Sequence, residues 1–331
     1  MVEFWTCTLG LSLLLYVLLD GFDLGVGMLF PFAPSETARR HMLGAIAPVW
    51  DGNETWLVIS ATVLFGAFPL VYSVLLSAFY LPLLVMLLAL ILRGVAFEFR
   101  YKAVRMRRVW DAGFVAGSYA ASFVQGMTMG ALVQEIPIRA GLYTGGSFGW
   151  YSPFALICGG GLCLGYAMLG AGWITYKTEE DVRAFGYRIL PWLLAGVLAV
   201  LAITFVYALR LDLRVIHRWT ERPVLLIFPA IGVVACGGMI LAVRRRSDLT
   251  PFLMGAAIFC AAFATLAISF VPYMIPFSVT IAEAVAPHSS LSFMFWGAGL
   301  FALPLTLAYT LVVYVAFKGK VSGPAEYHQG A

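Results

Sequence analysis

Asp20 and Asp23 lie three residues apart inside a long apolar run, where each carboxylate costs roughly 2.5–3.5 kcal/mol if the run crosses a bilayer. Spaced so, they share one face of a helix and need protons, a cation or an arginine partner. A proton-transfer or cation site is the chemistry this pair suggests. Asp51 and Glu54 open the next apolar run, and Arg93 and Glu98 fall in the third. Each of these has a plainer reading beside the functional one. Asp51-Gly52-Asn53-Glu54 has the spacing of a capping-box-like helix start, and Asp111 reads as a cap. Arg93 can snorkel or neutralise an aspartate, and Glu98 sits beside a basic loop as a boundary residue.

The elements that hold these groups are transmembrane helices. Of 331 residues 62% are hydrophobic and 11% charged, with a mean hydropathy of +0.91. Soluble domains carry about 25% charged residues, so too little polar surface is left to face water. About nine runs reach the roughly 20 residues a span needs: residues 4–32, 54–72, 74–99, 110–134, 153–176, 191–209, 224–243, 251–272 and 291–317. Pro153, Pro191 and Pro251 are expected in first helical turns. Gly21 and Gly25 form a small-xxx-small pair that invites a close neighbour, and Cys158-Gly159-Gly160-Gly161 reads as a packing face. No cleavable signal peptide is read at the start, because Glu3 stands where a basic segment is expected.

Fifteen Lys and Arg follow odd-numbered spans or the last one, five follow even-numbered spans, and Arg93 inside a span completes the 21. The positive-inside rule then predicts the N-terminus outside and the C-terminus in the cytoplasm. Arg210, Arg214, Arg218 and Arg222 dissent. The basic residues set membrane orientation and do not form a nucleic-acid surface. All five cysteines lie in apolar runs without metal-ligand spacing. His41, His217, His288 and His328 lie in loops, at a span edge or in the tail, so no histidine pair is placed to hold a haem between helices. Nucleotide-binding, zinc-protease and serine-hydrolase signatures are absent from the sequence. Three function classes follow: a proton-handling subunit of a larger assembly, a shielding subunit, or a secondary transporter using the Asp20/Asp23 pair.

Asp20-Gly21-Phe22-Asp23-Leu24-Gly25-Val26-Gly27 and Ala47-Pro48-Val49-Trp50-Asp51-Gly52-Asn53-Glu54-Thr55-Trp56-Leu57 carry a resemblance. Phe68-Pro69, Phe79-Tyr80, the stretch from Arg93 to Arg100 and Trp110-Asp111 extend it. Together they resemble subunit II of the cytochrome bd-type quinol oxidases, most closely before about residue 115. The compact second half resembles the cyanide-insensitive branch.

The resemblance implies an all-α membrane protein of two four-helix bundles plus one peripheral helix. Residues 1–135 would be the charged bundle, 136–282 the nearly uncharged one, and 283–331 the ninth helix and cytoplasmic tail. It implies a haem-bearing subunit I with two b-type haems and one d-type (or b-type) haem, which oxidises quinol and reduces dioxygen to water. This chain would bind no haem. In some members it holds a structural quinone, contacts lipid, and sits beside a small single-helix accessory subunit. Asp51 maps onto a proton-uptake route, with Glu54, Asp20, Asp23, Arg93 and Glu98 as further pathway candidates, and Asp23 onto a polar or cation-binding position. The implied location is the bacterial cytoplasmic membrane.

Overall fold

The computed structural model describes residues 1–103, 105–211 and 213–321; His328 and the rest of residues 322–331 lie outside them. The apolar runs become helices because a backbone in hydrocarbon must satisfy its own polar groups. The first half contains α1 (Val2–Leu29), α2 (Glu36–Ile46), α3 (Trp50–Ala67), α4 (Pro69–Ala78), α5 (Tyr80–Lys102) and α6 (Arg107–Val133). A small antiparallel hairpin, β1 (Ile138–Arg139) and β2 (Leu142–Tyr143), leads to α7 (Pro153–Lys177) and α8 (Glu180–Arg210). The short α9 (Arg214–Glu221) precedes α10 (Ile227–Arg244) and α11 (Thr250–Phe270). A second hairpin follows, of β3 (Tyr273–Ile275) and β4 (Val279–Thr280), then α12 (Ile281–Ala284) and α13 (His288–Met294). From α13 a π-helical turn at Phe295–Gly299 runs into α14 (Leu300–Ala316).

Among the described residues, seven helices are long and apolar enough to cross a membrane, or eight if α3 and α4 count as one broken span. The 27-residue α6 is as long as its neighbours, about 40 Å at 1.5 Å per residue. Its serines, glycines and Gln125 make it less apolar, which suits a helix packed between α5 and α7.

Two boundaries differ from the sequence expectation. The second and third spans do not meet near residue 73: the chain bends by 119° between α3 and α4, and α5 starts only at Tyr80. Pro69 lacks the N–H that would continue α3, and hydropathy cannot register that break. The Ala67 carbonyl exposed there accepts the Ala286 N–H at 2.9 Å. Pro191 is not in a first turn but inside the 31-residue α8. Charged residues 180–188 end the apolar run without ending the helix. Pro153 and Pro251 do sit in first turns.

At the centre, α1 packs against α3 and α6 of the first half and α7 and α11 of the second. Its crossing with α7 is backbone on backbone. A Cβ on Gly25 would lie 1.8 Å from the Tyr166 carbonyl oxygen, and one on Gly170 would lie 2.5 Å from the Gly25 carbonyl carbon. Phe22 stacks on Trp173 just beside this contact. The periphery is different in kind: α14 has no buried residue, leaving it the outlying helix of an all-α membrane fold.

Candidate buried charge cluster

Ser12, Tyr16, Asp20 and Asp23 follow one another at four-, four- and three-residue steps, giving α1 a polar stripe within an apolar helix. Asp20 lies roughly 27 Å from the start of α1 at 1.5 Å per residue, close to the end where Arg39, Arg100 and Arg107 gather. The antiparallel α3 answers the stripe with its own buried face, Asn53, Trp56 and Ser60. Ser60 donates to Ser12 at 2.9 Å at one end of the seam, and Asn53 Nδ2 donates to Asp23 Oδ2 at 2.7 Å at the other. Asn53 also takes a hydrogen bond on Oδ1 from the Tyr314 hydroxyl of α14 at 3.0 Å.

From α5, Arg93 reaches into this seam and is 2% exposed. Its Nη2 lies 2.9 Å from Asp20 Oδ1 and donates to Glu54 Oε1. Its guanidinium also faces the Trp50 ring at 6.0 Å. Asp20 and Asp23 are fully buried, whereas the Glu54 side chain is 28% exposed. Three carboxyl groups therefore surround one guanidinium that touches two of them, so that full ionisation would leave two negative charges without a cationic partner in a low-dielectric interior. Several buried polar atoms here have no hydrogen-bond partner: both Asp20 oxygens, Asp23 Oδ1, Arg93 Nε and Nη1, and Trp56 Nε1. Such a set suits internal water or mobile protons.

Asp20, Asp23, Glu54 and Arg93 are thus brought together. Asp51 is exposed in the first turn of α3, one turn before Glu54 on the same face. Neither acid caps the helix: the N-cap is Val49, with no side-chain cap bond. Glu98 does not join them, because five residues beyond Arg93 it points out of the other side of α5. Among the described residues, no group of three or more His, Cys, Asp or Glu is arranged to hold a metal ion.

A second network is not legible in the sequence as such. Arg100, 2% exposed, binds both Glu36 oxygens at 3.0 and 3.1 Å and pairs with Asp111, with Arg39, Arg40 and Arg107 also near Glu36. Asp111 is therefore an ion-pair partner across α5 and α6 and not the expected cap; the α6 N-cap is Met106. The neutral members Asn53, Tyr314, Tyr16 and Gln125 also escape the sequence reading, since a search keyed to charge passes over them. The polar stripe of α1 is the signal that could find Tyr16.

The pattern of the family described as cytochrome bd terminal oxidase subunit II matches residues 1–317. The chain is 31% identical to the cytochrome bd ubiquinol oxidase subunit 2 of Bacillus subtilis strain 168, over 97% of this chain and 96% of that one. It is 29% identical to the cytochrome bd-I ubiquinol oxidase subunit 2 of Escherichia coli strain K12, over 96% and 94%. The solved structure of bd oxidase from Geobacillus thermodenitrificans shares its fold, with a TM-score of 0.73 over 96% of this chain and 98% of that one at 16% identity. The chain belongs to the cytochrome bd terminal oxidase subunit II family, a membrane component of an oxidoreductase complex of the bacterial inner membrane.

Proposed function

We propose that this subunit supplies part of the proton-uptake path of its oxidase while supporting a haem-bearing subunit I. The observation that carries this reading is the buried imbalance of three carboxylates and one guanidinium. A merely structural ion-pair set would be balanced, whereas a site that loads and releases protons needs carboxylates beyond its fixed cations. Asp51 is the exposed collector, Glu54 the half-buried next acceptor, and Asp20 the interior one; Arg93 holds the last two together. Asp23, with Oδ1 unpartnered, is where a proton or a monovalent cation balances the remaining charge. Glu98 is left at the mouth, off the path.

The cation-rich end would face the cytoplasm, with the N-terminus outside. Residues 1–135 form the charge-handling bundle, 136–282 the packing bundle, and 283–331 the peripheral helix and tail. Among the described residues, the histidines are not placed to hold a haem. His41 lies on α2, His217 on α9 and His288 at the start of α13, none of them opposed inside the bundle. Two b-type haems and a d-type (or b-type) haem, with quinol oxidation and dioxygen reduction, are assigned to the partner on the family resemblance. A structural quinone and a small accessory subunit belong to the same proposal and rest on the family alone.

The test is Asp51→Asn in the whole complex, with Glu98→Gln as its control. Asp51→Asn should slow oxygen consumption and proton uptake together, leave the haem spectrum intact, and be distinguished from Glu98→Gln, which should change neither. Unchanged turnover in Asp51→Asn removes it from the path.

A further inference from the structure

Beyond the charge cluster runs a chain of polar side chains, two buried and one half-buried, that the proton path does not use. Tyr16 of α1, Gln125 of α6 and Tyr166 of α7 meet where the three helices cross. Tyr16 is 4% exposed and Tyr166 fully buried. The Tyr166 hydroxyl donates to Gln125 Oε1 at 2.9 Å, and Gln125 Nε2 donates to the Tyr16 oxygen at 2.7 Å. Tyr16 in turn stands one turn before Asp20 on the same face of α1.

The direction of this chain follows from counting protons. Each phenol has one O–H, and a glutamine amide has distinct donor and acceptor ends. Tyr166 gives its proton to Gln125, and Gln125 gives one of its own to Tyr16, which leaves the Tyr16 proton free. Asp20 is the group that needs it: neither of its oxygens has an aligned donor, because the aligned bond of Arg93 Nη2 goes to Glu54. With the amide turned round, Tyr16 would spend its proton on Gln125, and a phenol lone pair would face a carboxylate. The charge on Asp20 therefore selects the observed orientation. The far end closes in an aromatic core, where the Tyr166 ring stacks on Phe259 at 5.6 Å.

We propose that Gln125 is a positioning residue that aims the Tyr16 hydroxyl at Asp20, so that Asp20 is held from one side by Arg93 and from the other by a donor relayed from two further helices. The other ionisable groups around Asp20 are Asp23 on α1, Glu54 on α3 and Arg93 on α5, with the Tyr166 and Tyr314 phenols, whose hydroxyls donate to Gln125 and Asn53, and none of them replaces that donor. The functional weight of this arrangement rests on reading Asp20 as a proton carrier; the hydrogen-bond arrangement itself does not.

The experiment uses the whole oxidase and infrared difference spectroscopy, with the Asp20 carboxyl band assigned by its loss in Asp20→Asn. Tyr16→Phe and Gln125→Leu should shift that band in the same sense with haem content retained. The double variant should shift it no further than either alone, because the two act through one bond to Asp20. Tyr166→Phe should give a smaller shift of the same sense. An unmoved band in the near-isosteric Tyr16→Phe, or additive shifts in the double variant, overturns the proposal. Turnover reports separately: unchanged oxygen consumption in Asp20→Asn refutes the carrier reading while leaving the band shifts to decide the positioning role.

Discussion

Arg93 Nη2 stands between two carboxylates from different helices, 2.9 Å from Asp20 Oδ1 and hydrogen-bonded to Glu54 Oε1. One guanidinium thereby joins α1, α3 and α5. Arg93→Leu removes the sole cation of the cluster and leaves three acids facing one another. Breaking a buried pair from one side costs about 3–5 kcal/mol, so this variant should assemble poorly and melt well below the parent complex. Arg93→Lys should recover only part of the loss, since an ammonium is more strongly hydrated, loses its charge more readily when buried, and has no planar face to set against the Trp50 ring. Thermal melting of the purified complex checks both. A lysine variant as stable as the parent would show that charge alone is what the site requires.

Asn53 donates from its amide nitrogen to Asp23 and accepts on its amide oxygen from the Tyr314 hydroxyl, so it links α1 to the otherwise peripheral α14. Asn53→Ala strips Asp23 of its aligned donor and should cost about 1–3 kcal/mol, the penalty of a buried acceptor left unsatisfied. Tyr314→Phe removes the hydrogen bond that Asn53 Oδ1 accepts while leaving both bonds from Nδ2 in place, and should cost about 1 kcal/mol, the lower end of that range. The order of the two melting temperatures, Asn53→Ala below Tyr314→Phe, is the readout.

The spans and the acids are legible because burial of a charge in an apolar run is costly enough to be conspicuous in composition alone. Asp20, Asp23, Glu54 and Arg93 are found together as their membrane depth suggests. What stays hidden depends on rotation and on neighbours distant in sequence. Tyr314 meets Asn53 across 261 residues, and nothing in the apolar run around it announces that contact. Asp111 resembles a cap because a helix starts nearby, yet its partner is Arg100 on the preceding helix. Glu98 resembles its neighbours in depth and differs from Arg93 only in the face it occupies. The Pro69 break is hidden for another reason, since a ten-residue, mainly apolar segment reads alike whether it continues a span or turns across it.

Away from the cluster, Asp248 between α10 and α11 binds Lys320 at 2.8 Å and pairs with Arg183, with the Tyr187 hydroxyl donating at 3.2 Å. Partial burial alone would raise this carboxyl, but Lys320 and Arg183 outweigh it and hold it below its ordinary value. A lowered folded-state value means the contribution is fully present above the unfolded carboxylate value of about 3.9 and is lost as pH falls through the folded one. The segment near Lys320, also held by Val321 N–H on the Lys177 carbonyl, should therefore loosen only in strong acid. Asp248→Asn should bring that loosening to neutral pH. Hydrogen exchange of residues 317–321 against pH measures it, and equal protection in the variant at pH 7 would contradict the assignment.

The α1–α7 crossing allows a prediction with an internal control on one helix. A Cβ at Gly25 would meet the Tyr166 carbonyl oxygen at 1.8 Å, the carbonyl carbon at 2.6 Å and the Gly170 nitrogen at 2.9 Å, all of them backbone. No side-chain rotation relieves such a clash, so Gly25→Ala must push the two helices apart. That separation would also open the stacking of Phe22 on Trp173 and displace Tyr166 from Gln125. The cost should reach about 3 kcal/mol or more, the upper range for overpacking. Gly160 lies on α7 with nothing within 4 Å of the position a Cβ would take, so Gly160→Ala should be neutral or slightly stabilising in this chain, as alanine is in helices generally. Melting temperature and yield of the two variant complexes decide the matter: comparable values for both would mean that close approach, which explains the Gly25 and Gly170 pairing, is not what holds the two halves of the subunit together.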